Sequence, residues 1–110
     1  MRKTTLTLLG SLEEQVMLAV VRTRDQAYGM NVRRELESVT GRDVTIGAVY
    51  ATLDRLEAKD LVSSSRIAAA DAASRRVFQV TSQGARALMH TRATRERLWI
   101  GVTLDALRKT

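Results

Sequence analysis

The stretch TIGAVYATLDRLEAKDLV, residues 45–62, decides the fold. Its apolar residues recur at helical spacing, which predicts one face packed on a core through Ile46, Val49, Leu53 and Leu56. Thr45 directly precedes this stripe and is a favourable N-cap, because its hydroxyl can accept a hydrogen bond from an unpaired N–H of the first turn. The pattern predicts a helix from about Thr45 to Lys59.

The opposite face of this helix combines small side chains with cations towards its end: Ala48, Ala51, Thr52, Arg55 and Lys59. Such a face can approach closely in a DNA major groove, where Ala and Thr methyls touch thymine methyls and an Arg reaches guanine or phosphate. Together with Thr45 at the start of the helix, these residues are the candidate DNA contacts on it. The alternative is a solvated surface face that binds nothing. The flanking sequence favours the first interpretation.

The flanking residues predict a helix-turn-helix followed by a hairpin. Upstream, Val32, Leu36 and Val39 lie on one helical face, and Gly41 is well placed as a left-handed C-cap. A turn of about four residues between two such helices is typical of a helix-turn-helix. Downstream, residues 61–67 and 75–80 read as two short strands. A β-hairpin directly after the second helix of the motif is the arrangement called a wing.

These motifs resemble those of the PadR family of bacterial winged-helix transcriptional regulators. The resemblance spans roughly residues 6–90 and rests on several motifs in the right order: Tyr28-Gly29 with Val32, GAVYATLDRLE at residues 47–57, Leu61-Val62, Phe78-Gln79-Val80-Thr81 and Gly84. It implies a dimer that represses transcription, with the third helix in the major groove, the wing along the DNA backbone and the C-terminal helix in the dimer contact. Room for only one C-terminal helix makes the chain similar to the short type.

Three residues depart from the family pattern. Ala51 replaces a proline, Asp60 replaces a glycine before the wing, and Phe78 replaces a tyrosine. Asp tolerates the left-handed region better than most residues, and Phe keeps the apolar body of Tyr, so neither change threatens the fold. The missing proline leaves one base-side contact open.

The predicted architecture is mainly α with a small β wing. Residues 1–81 form a winged helix-turn-helix of three helices and a two-stranded hairpin, and residues 82–110 form a C-terminal dimerisation helix that runs from about 82 to 107 with Thr81 as its cap. The first helix is expected to start at the Ser-x-x-Glu capping box of Ser11 and Glu14 and to run to about Arg22. The alanine-rich connection at residues 68–73 contains no Gly and is expected to form a mobile tip.

Composition limits the classes of function. The chain has 110 residues, 45% of them apolar, and a net charge of +6, which indicates one small domain with a polyanionic partner, either nucleic acid or an acidic membrane surface. Without cysteine there is no disulfide or thiolate metal site. An apolar run of about 18 residues is absent, and the short apolar run after Met1-Arg2-Lys3 is too polar for a signal peptide. We expect a cytoplasmic protein that does not enter a membrane.

Catalysis and metal binding are not expected. The single histidine, His90, lacks partners for a metal site, and no nucleophile–His–acid set or phosphate-binding Gly loop is present. We therefore expect neither an enzyme nor a cofactor.

Candidate phosphate contacts surround the groove-facing helix. In the motif of the family, Tyr50 lies at the DNA backbone, where its hydroxyl can donate to a phosphate; the alternative is an aromatic packed at the edge of the wing. Arg66, Arg75 and Arg76 at the base of the wing suit the phosphates beside the groove, and the alternative is solvated hairpin charge. Asp54 and Glu57 are expected to be structural, because a carboxylate would repel phosphate.

The last helix is expected to carry the dimer contact. Leu88, Trp99, Val102 and Ala106 are predicted to share one face that a second subunit covers, with packing on the first helix of the same chain as the alternative. The resemblance implies that planar aromatic ligands can bind between subunits in this region, and Trp99 offers a stacking face. Plain interface packing is the other reading of Trp99. Arg95, one turn earlier, could stack on it.

Three functions fit these features. The first is a sequence-specific, dimeric DNA-binding repressor. The second is a winged-helix module that binds a protein and not DNA, and the third is a regulator whose main role is to sense a planar aromatic ligand at Trp99. A cluster of groups around the groove-facing helix favours DNA, namely Tyr50, Arg55, Arg66, Arg75 and Arg76.

Overall fold

Four helices and one hairpin make up the chain in the computed structural model, which describes residues 7–68 and 74–109. Their order is α1 (Ser11–Thr23), a 3-10 turn (Arg24–Gln26), α2 (Gly29–Thr40), α3 (Ile46–Ala58), β1 (Val62–Ala68), β2 (Ser74–Val80), α4 (Ser82–Trp99) and a terminal 3-10 turn (Leu107–Lys109). This order confirms the predicted mainly α fold with a small β wing.

The helix ends follow local chemistry. The Oγ1 of Thr45 accepts from the Ala48 N–H at 3.0 Å, and the Oγ1 of Thr81 accepts from the Gly84 N–H at 2.9 Å. Gly41 ends α2 in the left-handed conformation, with φ 71° and ψ 9°. All three predicted caps are confirmed.

The start of α1 differs from its prediction by one residue. Gly10 is the N-cap, and Ser11 is already the first helical residue. Glu13 therefore stands at the third helical position, where its Oε1 accepts from the Gly10 N–H at 3.1 Å. Only the glutamate half of a capping box forms, since Gly10 has no side chain to complete it. The expectation that Ser11 caps α1 is wrong.

The wing is an antiparallel pair of strands extended by one more stretch of chain. β1 and β2 pair from Val62 with Val80 to Ala68 with Ser74. Tyr28 forms a bridge with Val77, and the Phe78 N–H donates to the Ala27 carbonyl at 2.9 Å. This third stretch, which was not predicted from the sequence, anchors the start of α2 to the wing. The connection expected to be mobile falls mostly on residues 69–73, outside the described residues.

The core lies where the helices meet the base of the wing. It contains Val16, Met17 and Val20 of α1, Val32 and Leu36 of α2, Val49, Leu53 and Leu56 of α3, and Val62 and Phe78 of the wing. Asp60 makes the turn into β1 with φ 61°. This is the left-handed region that a glycine enters freely and that Asp tolerates better than most other residues. Packing on three sides fixes α3 relative to the wing, with its other face towards solvent.

Only the first half of α4 packs on this core. Gly84, Ala87 and Thr91 are buried at helical spacing, whereas residues 95–109 are exposed. The radius of gyration is 16.7 Å, against roughly 13 Å for a compact chain of this length. The far end of α4 therefore projects from the body. In the described part of the chain, no helix is both long and apolar enough to cross a bilayer.

The predicted end of α4 near residue 107 is wrong. The helix stops at Trp99, and Gly101 adopts φ 76°. A glycine just past the last turn terminates helices readily, because it enters the left-handed region without a Cβ penalty. Val102 and Ala106 lie beyond the helix and cannot share one helical face with Leu88 and Trp99.

Candidate nucleic-acid interface

The exposed face of α3 is low in bulk. Thr45, Ala51 and Arg55 are exposed and Ala48 is half-buried. Lys59 follows at the C-cap and is half-exposed. The small side chains at the start of the helix leave its backbone accessible to a groove, and Arg55 stands one turn beyond Ala51.

Thr52 does not belong to this face. Its side chain is only 1% exposed, and its Oγ1 lies 3.3 Å from a terminal nitrogen of Arg55, which donates to it. The residue is three positions after Val49 and four before Leu56, so helical geometry places it inside the apolar stripe. Thr52 was expected to contact DNA, but its burial does not support that expectation: the side chain packs in the core and its hydroxyl accepts a hydrogen bond from Arg55.

A cleft of about 430 Å³ lies between the wing, the start of α2 and α3. It is lined by Tyr28, Met30, Tyr50, Arg66, Arg75 and Arg76. Two aromatic rings and three guanidinium groups in one concave surface can accept a phosphate-sugar backbone through charge and hydrogen bonding. Among the predicted phosphate contacts, Tyr50, Arg66, Arg75 and Arg76 are thus brought together, while Met30 was not foreseen.

Gly29 sets the position of the Tyr50 ring. A Cβ at Gly29 would overlap the outer atoms of that ring, including its hydroxyl oxygen. The backbone of α2 therefore approaches the ring to contact distance, and Tyr50 stays 37% exposed at the mouth of the cleft. The sequence did not identify Tyr50 as the neighbour of Gly29.

Arg75 is stacked on the other aromatic ring of the cleft. Its guanidinium carbon lies 4.5 Å from the centroid of the Tyr28 ring, a cation–π geometry. The planar stack holds the cation over the cleft while its N–H edges remain available to an anion. Arg66 is also exposed, on the strand opposite Arg76.

Arg76 is engaged with acidic side chains. It donates to Asp54 Oδ1 at 2.9 Å and to Glu57 Oε1, and its Nε donates to Ser64 Oγ at 3.2 Å. The prediction that it serves as a phosphate contact is not supported by this arrangement, because its donors face α3. Burial would lower the pKa of Arg76, but the hydrogen bonds from its guanidinium to both carboxylates raise it above the ordinary value. Asp54 and Glu57 have the structural role expected of them.

The residues predicted for a dimer or ligand site are only partly brought together. Leu88 is half-buried against the core, and Arg95 pairs with Glu14 of α1 instead of stacking on Trp99. Trp99 ends α4 with 58% of its surface exposed. The exposed apolar side chains that flank it along the chain are Leu98, Ile100, Val102, Leu104 and Leu107. The shared helical face is lost, but a cluster of apolar residues remains at the projecting end.

A second uncovered apolar surface lies between α1 and α2. It is a groove of about 300 Å³ whose apolar walls include Leu18, Val21 and Val39. At its edge, Arg22 donates to Glu35 at 2.6 Å. Leu18, Val21 and Val39 are each more than 40% exposed. The groove leaves these three apolar side chains uncovered in the single chain.

These features define a winged-helix transcription regulator. The model of the transcriptional regulator PadR-like family matches residues 17–90, and the chain belongs to this family. The predicted resemblance is confirmed, and because the members of the family are transcriptional regulators, so is the expectation that the protein is not an enzyme. A search of curated protein sequences finds no significant match.

Solved structures share the fold over most of the chain. A PadR-like transcription factor from Bacteroides fragilis is 25% identical, with a TM-score of 0.69 over 79% of this chain and 82% of that one. A PadR-like transcriptional regulator from Bacillus cereus is 18% identical, with a TM-score of 0.70 over 90% and 92%. RosR of H. salinarum is 24% identical, with a TM-score of 0.66 over 91% and 86%. The last two likenesses concern the fold alone.

Proposed function

We propose that this regulator binds double-stranded DNA sequence-specifically, with α3 in the major groove and the wing along the backbone. The observation that carries the proposal is the position of Tyr50. This residue belongs to α3 and also lines the basic cleft at the wing. The small-residue face and the basic cleft are therefore neighbouring parts of one surface, as a groove and its flanking backbone require.

The proposed contacts divide into two kinds. Ala48, Ala51 and Arg55 would face base edges, because the two alanines are small enough for close approach of α3 and the exposed Arg55 is long enough to reach a base. Tyr50, Arg66 and Arg75 would contact phosphates from the cleft and the wing. The net charge of +6 would supply long-range attraction to the duplex. A protein-binding module would have no need for this combination.

We also propose a homodimer in which residues 82–110 provide the contact. Within the described residues, the end of α4 and the α1–α2 groove both leave apolar side chains uncovered. A dimer with twofold symmetry would cover both surfaces in each subunit, because each subunit contributes one copy of each surface to the pair. The two α3 helices would then meet successive major grooves about 34 Å apart. Occupying a promoter in the cytoplasm in this way would repress transcription.

A planar aromatic effector is the second candidate role. The observation favouring it is the exposed indole of Trp99 at the projecting end of α4, which the proposed dimer would place at the subunit contact. Quenching of Trp99 fluorescence by a planar cationic dye would test it. Saturable quenching at micromolar dye is expected; linear, non-saturating quenching would remove this role.

DNA binding is tested by fluorescence anisotropy with a labelled duplex taken from upstream of the gene. The comparison is a scrambled duplex of equal length, titrated over a salt series. We expect tighter binding to the native duplex and a linear fall of log K with log salt concentration, of slope about −0.9 for each phosphate contact. Equal affinity for both duplexes would contradict sequence specificity, and no binding at low salt would favour a protein-binding module.

A pair of matched variants assigns the surface. Arg55→Ala is expected to weaken binding to the native duplex and to reduce its advantage over the scrambled one. Arg92→Ala is the control, because Arg92 is an exposed arginine on α4, far from α3 in the sequence, that pairs with Glu96 at 3.4 Å. Equal losses in both variants would show a general charge effect and contradict the assignment of α3.

A further inference from the structure

Arg76 joins the wing to the groove-facing helix through one compact network. Its three guanidinium nitrogens reach Asp54 and Glu57 on α3 and Ser64 on β1. The guanidinium carbon also lies 4.7 Å from the centroid of the Phe78 ring, which is fully buried. The guanidinium group of Arg76 therefore donates hydrogen bonds from its edges and stacks one of its faces on an aromatic ring.

The acidic half of the network is also held in place. Asp54 and Glu57 are three residues apart and lie on one side of α3, and Ser64 donates to Glu57 Oε2 at 2.8 Å. The pKa of Glu57 is lowered first by this hydrogen bond from Ser64, with burial opposing it and Arg76 adding to the lowering. At neutral pH the carboxylate is ionised, so the bridge to Arg76 is a charge-assisted one.

We propose that Arg76 is a positioning residue that sets the angle between α3 and the wing and does not itself bind phosphate. The inference rests on the proposed function, because the angle matters only if both elements engage one duplex. Arg75, the next residue on β2, would then be the wing arginine that meets the backbone. Releasing Arg76 towards DNA would leave two carboxylates without their cation beside the phosphates, which is unfavourable.

Neutralising the acids distinguishes this proposal from a direct phosphate contact by Arg76, because the two predict opposite changes in the Kd for DNA. If Arg76 only positions the wing, Glu57→Gln removes a holding contact and raises the Kd for the native duplex about tenfold, or ~1.4 kcal/mol. If Arg76 is a phosphate ligand restrained by the acids, Glu57→Gln frees it and removes a repelling charge, so the Kd falls. A Kd equal to or below that of the wild type would overturn the proposal, and Asp54→Asn repeats the test at a more exposed position.

The two adjacent arginines allow a matched comparison. Lys replaces Arg well as a point charge on phosphate but cannot bridge two carboxylates with one planar fork. Arg76→Lys is therefore expected to weaken DNA binding about tenfold, and Arg75→Lys by no more than about threefold. The reverse order would overturn the proposal.

A measurement without DNA keeps the inference separate from the proposed function. Hydrogen exchange of the free protein is expected to show faster exchange at β1 and β2 amides in Arg76→Lys, with the α1 and α2 amides unchanged. Failure of the wild type to bind DNA would remove the proposed function while this loosening would still be visible. Unchanged wing exchange in the variant would overturn the positioning role itself.

Discussion

Lys59 at the end of α3 donates to Glu13 of α1, with Nζ and Oε2 3.0 Å apart across 46 residues of sequence. The Glu13 side chain is only 15% exposed, and its other oxygen accepts from the Gly10 N–H. One carboxylate therefore fixes the start of α1 and the end of α3 together. Lys59 was predicted as a DNA contact, but in the structure it forms an ion pair that joins α3 to α1.

Glu13 should make stability depend on pH. Burial raises its pKa, but the hydrogen bonds from Lys59 and Gly10 outweigh this and bring the pKa below the ordinary value of 4.5. A carboxylate with a depressed folded-state pKa contributes stability above its unfolded pKa, and the contribution is lost as pH falls through the folded value. We expect Glu13→Gln to cost about 1 kcal/mol at pH 7, with the difference from the wild type shrinking as the pH falls below 4.5.

Thermal unfolding followed by circular dichroism at pH 7, 5 and 3 checks this prediction. Glu96→Gln is the control, because Glu96 forms an exposed pair with Arg92 on α4 and is expected to change little at any pH. A loss of stability in Glu13→Gln that stays constant over the pH range would show that the carboxylate charge is not responsible.

Gly84 and Gly47 should respond in opposite directions to alanine. A Cβ at Gly84 would overlap the Leu61 carbonyl oxygen, which is backbone and cannot swing away, whereas a Cβ at Gly47 meets nothing within 4 Å. Both residues lie near the start of a helix. We expect Gly84→Ala to destabilise the fold by about 1–3 kcal/mol and Gly47→Ala to stabilise it by roughly 0.5–1 kcal/mol. Urea unfolding measures both, and equal effects would contradict the close packing of α4 on the turn before the wing.

The features predicted well from sequence are those encoded by a few neighbouring residues. Thr45, Thr81 and Gly41 cap helices through groups within three or four positions, and Asp60 makes its turn through its own backbone. The apolar face of α3 was likewise predicted from the spacing of neighbouring residues alone. These predictions needed no knowledge of the tertiary structure.

Two kinds of feature were predicted poorly. Some depend on partners far along the chain, and others follow from a local sequence pattern that was given too little weight. The acids that hold Arg76 lie 19 and 22 residues away, and no spacing rule identifies them. Thr52 was placed by its polar chemistry although its position in the helical repeat indicated burial. Gly101, between Ile100 and Val102, was a sufficient signal for ending α4, because Gly and β-branched residues all have low helix propensity.

The placement of Thr52 predicts a separation between stability and DNA recognition. Thr52→Val keeps the shape of the buried side chain and removes only the acceptor for Arg55, so we expect a loss of about 1 kcal/mol and an unchanged preference for the native duplex. Ala51→Gln adds bulk to the exposed face of α3 and is expected to leave stability nearly unchanged while reducing that preference. Urea unfolding and anisotropy on both variants test this, and a changed preference in Thr52→Val alone would contradict the buried assignment.

The exposed end of α4 predicts a concentration-dependent dimer. Ile100 and Leu98 are 76% and 73% exposed in the single chain, and Trp99 lies between them. Burial of this cluster in a second subunit would move the Trp99 emission maximum to shorter wavelength as protein concentration rises.

Leu98→Asp would place a charge in an apolar interface and is expected to give a monomer by analytical ultracentrifugation, with the emission fixed at long wavelength. Ala85→Asp, an exposed position at the packed end of the same helix, is expected to remain dimeric. A monomeric wild type at all concentrations would contradict the proposed homodimer, and a dimeric Leu98→Asp would move the contact away from the end of α4.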